Sequence, residues 1–303
     1  MTEPSNGAGA LQRADFSIPN AIGKTLDVTV RYRNGLADQP VVLLLHGFKG
    51  FKDWGFFPFV AEQIAGWGAI SIAMNFSLNG ISLGSELFDR MGDFANNTIS
   101  REVADAAEMV EAISSGMLEP HVPLGKLWNR RIYLLGHSRG GGIALLTTRN
   151  FNGRVHKTCV WNSVGRWGRY TERQENIWRE KGYFEISNQR TKQVLRMNLS
   201  YLEDIERNAE RLDLLRAVAE SLSDILLIHA EQDLSVPIEA AEKLLAAAQR
   251  HDAAARPSEG GGRSVELVRI PKSGHTFGAV HPFQGTTNSL NDAMQATREF
   301  FAL

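Results

Sequence analysis

The chain alternates short aliphatic runs with segments of helical periodicity. Val41–Leu45 is apolar at every position, which fits a strand buried on both faces of a parallel sheet. Ala69–Met74, residues 131–135, Thr158–Trp161, Ile225–Ile228 and Val265–Ile270 read as further strands. Between them Phe57–Trp67, a segment ending near Thr148, Ile238–Arg250 and Leu290–Phe301 read as helices. Residues 99–113 join them, with apolar side chains at 99, 103, 106, 107, 110 and 113. Weak alternation over 15–33, with Asn20 and Gly23, predicts a leading antiparallel hairpin. Repeated β-then-α units predict an α/β fold with a mostly parallel central sheet and helices on both faces.

The alternation breaks in several places. Residues 76–97, rich in Gly, Asn and Ser, read as a long loop, and Ala253–Gly262 as a flexible surface loop. Residues 163–222 read as an inserted cap over the sheet. Within it, Tyr183–Gln193 predicts a hairpin with Asn188 near its tip, and 194–220 predicts charged helices with a solvated face. The polar first 14 residues read as a disordered tail, with no basic and apolar leader pattern. The expected organisation is one domain over 15–303 carrying its cap at 163–222.

Composition narrows the function classes. The 303 residues are 43% hydrophobic and 22% charged, ordinary for a globular chain. A net charge of −1 gives no pull toward nucleic acid or an anionic membrane. No apolar stretch is long enough to span a bilayer. The single cysteine, Cys159, permits no internal disulfide and fits a reducing, cytoplasmic setting; its apolar surroundings mark it as a small buried residue. Composition leaves the oligomeric state open, a homo-oligomer included.

Active sites in parallel sheets lie at the carboxyl ends of the strands, so the residues just after each run matter. Strand 131–135 leads into Gly136-His137-Ser138-Arg139-Gly140 and then a helix, the context a G-x-S-x-G nucleophile elbow requires. A serine hydroxyl near neutral pH needs a base within hydrogen-bond reach. Ile225–Ile228 is followed by Asp233, and Val265–Ile270 by the Gly-flanked His275. The order Ser138, Asp233, His275 predicts a nucleophile, an acid that orients the imidazole, and a base that shuttles the proton. The run Val41–Leu45 ends in His46-Gly47-Phe48. The amides of Phe48 and Arg139 are the expected oxyanion-hole donors.

Together these segments resemble the α/β-hydrolase superfamily over roughly residues 38 to 303. The resemblance is to serine esterases and to dienelactone-hydrolase-like and S9/S33 peptidase-like members. Its carriers are His46-Gly47-Phe48, Gly136–Gly140, the segment around Asp233, and Ser273-Gly274-His275. The loop Phe48–Gly55 also looks like that of bacterial feruloyl- and cinnamoyl-type esterases. The Trp-, Tyr- and Arg-rich insertion departs from the simplest dienelactone-hydrolase pattern. The resemblance implies a serine esterase, a carboxylesterase forming an acyl-enzyme on a small-molecule ester without a cofactor. A peptidase, an amidase or an acyltransferase on the same residues, or a non-catalytic binding module, stay open. A peptidase would require a carboxylate pair for a free amine, with Glu172, Glu175 and Glu185 as candidates. Serine at the elbow argues against the dehalogenases and epoxide hydrolases of this fold, which use aspartate there.

Other residues are read more plainly. Trp54, Trp161 and Trp167 are candidates for an aromatic substrate pocket, Trp161 first among them, with core packing as the competing use. Arg139 is expected in an exposed salt bridge, or orienting an anionic substrate group. His46, His137 and His229 are expected to be scaffold, and His281 is the nearest rival to His275 as base. No H-x-x-x-H pair occurs, so no metal site is expected. Gly140–Gly142 is no phosphate loop, because no Gly-Lys-Ser/Thr follows.

Overall fold

A computed structural model describes residues 9–168, 170–255 and 263–303. An eight-stranded sheet runs through it in the order β1-β2-β4-β3-β5-β6-β9-β10. The strands are β1 (Leu11–Pro19), β2 (Thr25–Arg33), β3 (Gln39–Leu45), β4 (Ile70–Met74), β5 (Trp128–His137), β6 (Val155–Trp161), β9 (Asp224–Ala230) and β10 (Val265–Ile270). β1 and β2 form the predicted hairpin and join β4 antiparallel; every other pairing is parallel. The aliphatic runs are explained by burial on both faces. Val41, Leu43 and Leu45 of β3 face one core, and Val42 and Leu44 the other. α1 (Phe57–Gly66) and α10 (Asn288–Phe301) cover the second face. α3 (Ile99–Ser115), α5 (Arg139–Asn150), α8 (Leu214–Glu220) and α9 (Glu239–Ala255) cover the first. α3 matches its periodic pattern; Thr98 caps its start by accepting the Arg101 amide at 3.2 Å, and Gly116 ends it at φ 80°.

The inserted segment between β6 and β9 contains α6 (Glu172–Lys181), a hairpin of β7 (Tyr183–Ser187) and β8 (Val194–Asn198), and α7 (Leu199–Arg207). Trp178 of α6 is fully buried, stacked on Phe184 and Tyr201 and edge-on to Tyr170, and joins the core on the first face of the sheet. α8 packs instead on α5 and α9 as part of the sheet's cover.

Several boundaries differ from the sequence reading. Leu11–Ala14, expected in the tail, is already strand, paired with Val30–Arg33; Met1 to Ala8 lie outside the described residues. Val194–Asn198, expected to be helical, is strand β8: Leu195 and Met197 are buried while Val194 and Arg196 are exposed, the period of two that a hairpin imposes. The loop 76–97 contains a short helix, α2 (Met91–Asn96), and a four-residue helix, α4 (Leu124–Leu127), precedes β5. Ala253–Ala255 continue helix α9; the rest of the expected loop, 256–262, lies outside the described residues. Among the described residues no helix is long and apolar enough to cross a membrane.

Candidate active site

Ser138 sits between β5 and α5 at φ 58°, ψ −119°, a region non-glycine residues rarely occupy. The turn is over-determined. The Ser138 amide donates to the Trp161 carbonyl at 2.9 Å, and its own carbonyl accepts from Gly141 and Val164 at 3.1 and 3.2 Å. Two glycines make the close packing possible. A Cβ on Gly136 would stand 2.3 Å from the Gly140 carbonyl oxygen, and one on Gly140 would stand 2.2 Å from that of Leu45.

Two loops bring their side chains to this turn. His275, after β10, places Nε2 2.9 Å from Ser138 Oγ and Nδ1 2.7 Å from Asp233 Oδ2. Asp233, after β9, is buried, and its Oδ1 accepts the Ser235 and Val236 amides at 2.8 and 2.9 Å. Burial works against its ionisation, but the hydrogen bond and charge of His275 and these amides outweigh it. Its carboxyl therefore lies below the ordinary value. An ionised Asp233 fixes the proton of His275 on Nδ1 and leaves Nε2 free to accept from Ser138.

The backbone of His275 is held as well. Its carbonyl accepts from His137 Nε2 and from Asn162 Nδ2, each at 2.8 Å. Asn162 Oδ1 in turn accepts the Ala230 amide at 2.7 Å, tying the ends of β6 and β9 to the His275 loop. Asn162 carries no motif, so nothing local in the sequence marks it. Burial, reinforced by the charge of His275, lowers His137 to about 3, which keeps it a neutral donor. His46 is lowered by burial to about 4; its Nδ1 donates to the Gly47 carbonyl at 2.9 Å. His229 Nε2 donates to Val236 O at 2.8 Å. His281 accepts the Gly55 amide at 2.8 Å, which makes it a brace of the loop after β3. Burial raises the Cys159 thiol to about 12, so it stays protonated in the core.

The loop after β3 passes beside Ser138: a Cβ on Gly47 would stand 3.0 Å from Ser138 Cβ. The amides of Phe48 and Arg139 donate to no acceptor among the described residues. Cavities of about 280 and 370 Å³ open on either side of Ser138, and Phe48 borders both. The first is lined by Lys49, Trp54, His275 and the hairpin tip, the second by Arg139, Trp167, Tyr170 and Tyr201.

Two expectations are corrected here. Trp161 lines neither cavity: Cys159 and Trp161 share the face of β6 that packs on α10, and its Nε1 donates to Thr297 Oγ1 at 2.9 Å. Arg139 does form a salt bridge, but a buried one. It reaches Glu102 at 3.3 Å and Tyr201 Oη at 3.0 Å, with its guanidinium 3.8 Å from the Phe48 ring centre. Among the described residues no group of three or more His, Cys, Asp or Glu could hold a metal ion.

Fold and site together define a member of the α/β-hydrolase superfamily, a hydrolase. Residues 123–301 match the prolyl oligopeptidase family, and the chain belongs to that family. No curated protein matches the chain. Similar solved structures include Est1E from Butyrivibrio proteoclasticus, 16% identical, TM-score 0.63, covering 95% of this chain and 98% of that one. Dienelactone hydrolase from Anabaena variabilis is 16% identical with TM-score 0.57, covering 96% and 98%. The acylaminoacyl peptidase of Pyrococcus horikoshii is 17% identical with TM-score 0.63, covering 98% of this chain and 42% of that longer one. At these identities the likeness is one of fold.

Proposed function

We propose that the protein is a serine esterase that cleaves a carboxylic ester through an acyl-enzyme. The observation that carries this reading is the chain Ser138 Oγ–His275 Nε2, 2.9 Å, and His275 Nδ1–Asp233 Oδ2, 2.7 Å, on a strained elbow. Ser138 Oγ attacks the ester carbonyl as its proton passes to His275 Nε2. The oxyanion is held by the Phe48 and Arg139 amides. Collapse breaks the carbon–oxygen bond, and the leaving alkoxide takes the proton from His275. A water then repeats the sequence, releasing the acid and restoring Ser138.

The cavity linings favour an ester over a substrate with a free amine. Among the described residues neither cavity is lined by Asp or Glu, while Lys49 and Arg190 line the first and Arg139 and Arg166 the second. Glu185 is paired with Arg196 at 3.1 Å, and neither Glu172 nor Glu175 lines a cavity beside Ser138. Membership in a peptidase family supports a second reading, amide cleavage on the same residues. A fluorophosphonate probe should label Ser138 in the folded protein, and its failure to do so would sink both readings. Short-chain aryl esters should then be turned over faster than aminoacyl anilides at equal concentration; the reverse order would make the protein an amidase.

A further inference from the structure

The cavity on the His275 side of Ser138 is lined by amide and cationic side chains. Its cap wall is the tip of the β7–β8 hairpin, Asn188 to Arg190, and Lys49 lines it as well. Asn188 is only 5% exposed. Its Oδ1 accepts the Arg190 amide at 3.1 Å, and since only the oxygen can accept, the other end of the group is a donor. That Nδ2 has no partner among the described residues, and neither has Nη2 of Arg190; both atoms are closed off, so a ligand meets them only after a small shift of the hairpin tip. The Arg190 guanidinium lies 5.5 Å from the Phe51 ring centre. Lys49 Nζ makes a long bond, 3.4 Å, to the Ser187 carbonyl. Among the described residues no Asp or Glu lines the cavity. Glu86, the acid nearest in charge to Arg190, has a 61% exposed side chain and stands 3.4 Å from His281.

A buried donor without an acceptor is costly, and a buried cationic donor more so. Lys49 and Arg190 are only partly buried and keep part of their hydration, but no carboxylate among the described lining residues offsets their charge. A carboxylate supplies two oxygens with room for several donors and the opposite charge. Position fixes the part of the substrate concerned. His275, which protonates the leaving oxygen, lines this cavity and not the other, so it receives the alcohol portion. In the other cavity Arg139 is already paired with Glu102 and Tyr201.

We infer that Asn188, Arg190 and Lys49 form a subsite for a carboxylate carried by the alcohol portion of the ester. This rests on the esterase reading above. The test compares 4-acetoxybenzoate with 4-acetoxybenzamide, which share acyl group and ring and differ in charge. The expected kcat/KM ratio favours the carboxylate by about tenfold or more, as charge-assisted hydrogen bonds allow. In Arg190→Met and Lys49→Met the ratio should fall toward unity, and Arg190→Lys should retain part of it. Calorimetric titration of Ser138→Ala protein with benzoate and benzamide tests the subsite without catalysis. Benzoate should bind more tightly, and Arg190→Met on that background should remove the difference. Equal binding, or a preference surviving in both cation variants, overturns the subsite. Turnover of both esters without discrimination overturns the subsite alone. No turnover, with Ser138 silent to a fluorophosphonate, overturns the esterase reading while calorimetry still judges the subsite.

Discussion

Ser138 holds a backbone conformation that a serine adopts only when its surroundings impose it, and those surroundings are mostly backbone. Gly140→Ala would press a Cβ to 2.2 Å from the Leu45 carbonyl oxygen and 2.5 Å from that of His46, neither of which can swing away. We expect destabilisation of about 3 kcal/mol or more by urea unfolding. Gly66→Ala, where a Cβ meets nothing within 4 Å at the end of α1, should be neutral or slightly stabilising. Asp233→Asn should leave the fold intact but favour the wrong imidazole tautomer, lowering kcat on the order of 10³–10⁴-fold. The same variant carries a pH signature. The Asp233 carboxyl is depressed in the folded state, so its stabilisation is complete above the ordinary carboxylate value and lost as pH falls through the folded one. The stability gap between wild type and Asp233→Asn should be constant above about pH 5 and narrow below about pH 4. A gap that widens on acidification would contradict it.

At the level of elements, the inserted segment gathers its aromatic side chains around Trp178, in the same buried core as the first face of the sheet. Trp178 is fully buried between the hairpin and α7, and Phe184, Tyr201 and Tyr170 surround it. Trp178→Ala should cost about 3–5 kcal/mol within that segment. Because Trp178 lies outside the sheet, hydrogen exchange should accelerate across 172–207 while β3 and β5 keep their protection. Uniform acceleration through the central sheet would show that cap and sheet unfold as one. Tyr201 also links the cap to Arg139 at 3.0 Å, so this variant should change the shape of the second cavity as well.

The whole molecule buries histidines on several strand ends, and their protonation couples stability to pH. His46, His137 and His229 are each lowered by burial. The unfolded chain binds protons near the ordinary imidazole value of about 6.5 that the folded chain refuses, so these groups favour folding less as pH falls. Glu102 and Asp105, raised by burial, act in the opposite direction. A single variant isolates one contribution. His137→Gln should be less stable than wild type at pH 7, because Phe56 and the His275 carbonyl lose their fitted partner. That deficit should shrink as pH falls from about 6.5 toward the folded value of about 3. Urea unfolding at pH 7 and pH 5 measures it, and an unchanged or larger deficit at pH 5 would be inconsistent with a neutral buried His137.

The features legible in the sequence were those whose cause is local. Val41–Leu45 announces a strand buried on both faces because each of its side chains meets a core. Gly136–Gly140 announces a sharp turn because only glycine fits there, and Asp233 and His275 were found because they directly follow aliphatic strands. What escaped depends on residues distant in the chain. Val194–Asn198 carries a charge and few β-branched residues, and only pairing with Tyr183–Ser187 makes it a strand. Trp161 ends a strand as a pocket residue would, yet the pleat turns it onto α10, 136 residues away, toward Thr297. Arg139 looked exposed because Glu102 and Tyr201, 37 and 62 residues distant, are gathered around it only in the folded chain. Asn162 is unremarkable until β6, β9 and the His275 loop converge on it. The order of Ser138, Asp233 and His275 at successive strand ends was thus written along the chain, because strand ends are local signals. Which polar groups stand beside them, paired or waiting for a substrate, was decided by tertiary packing, because burial and charge compensation exist only between segments that folding brings together.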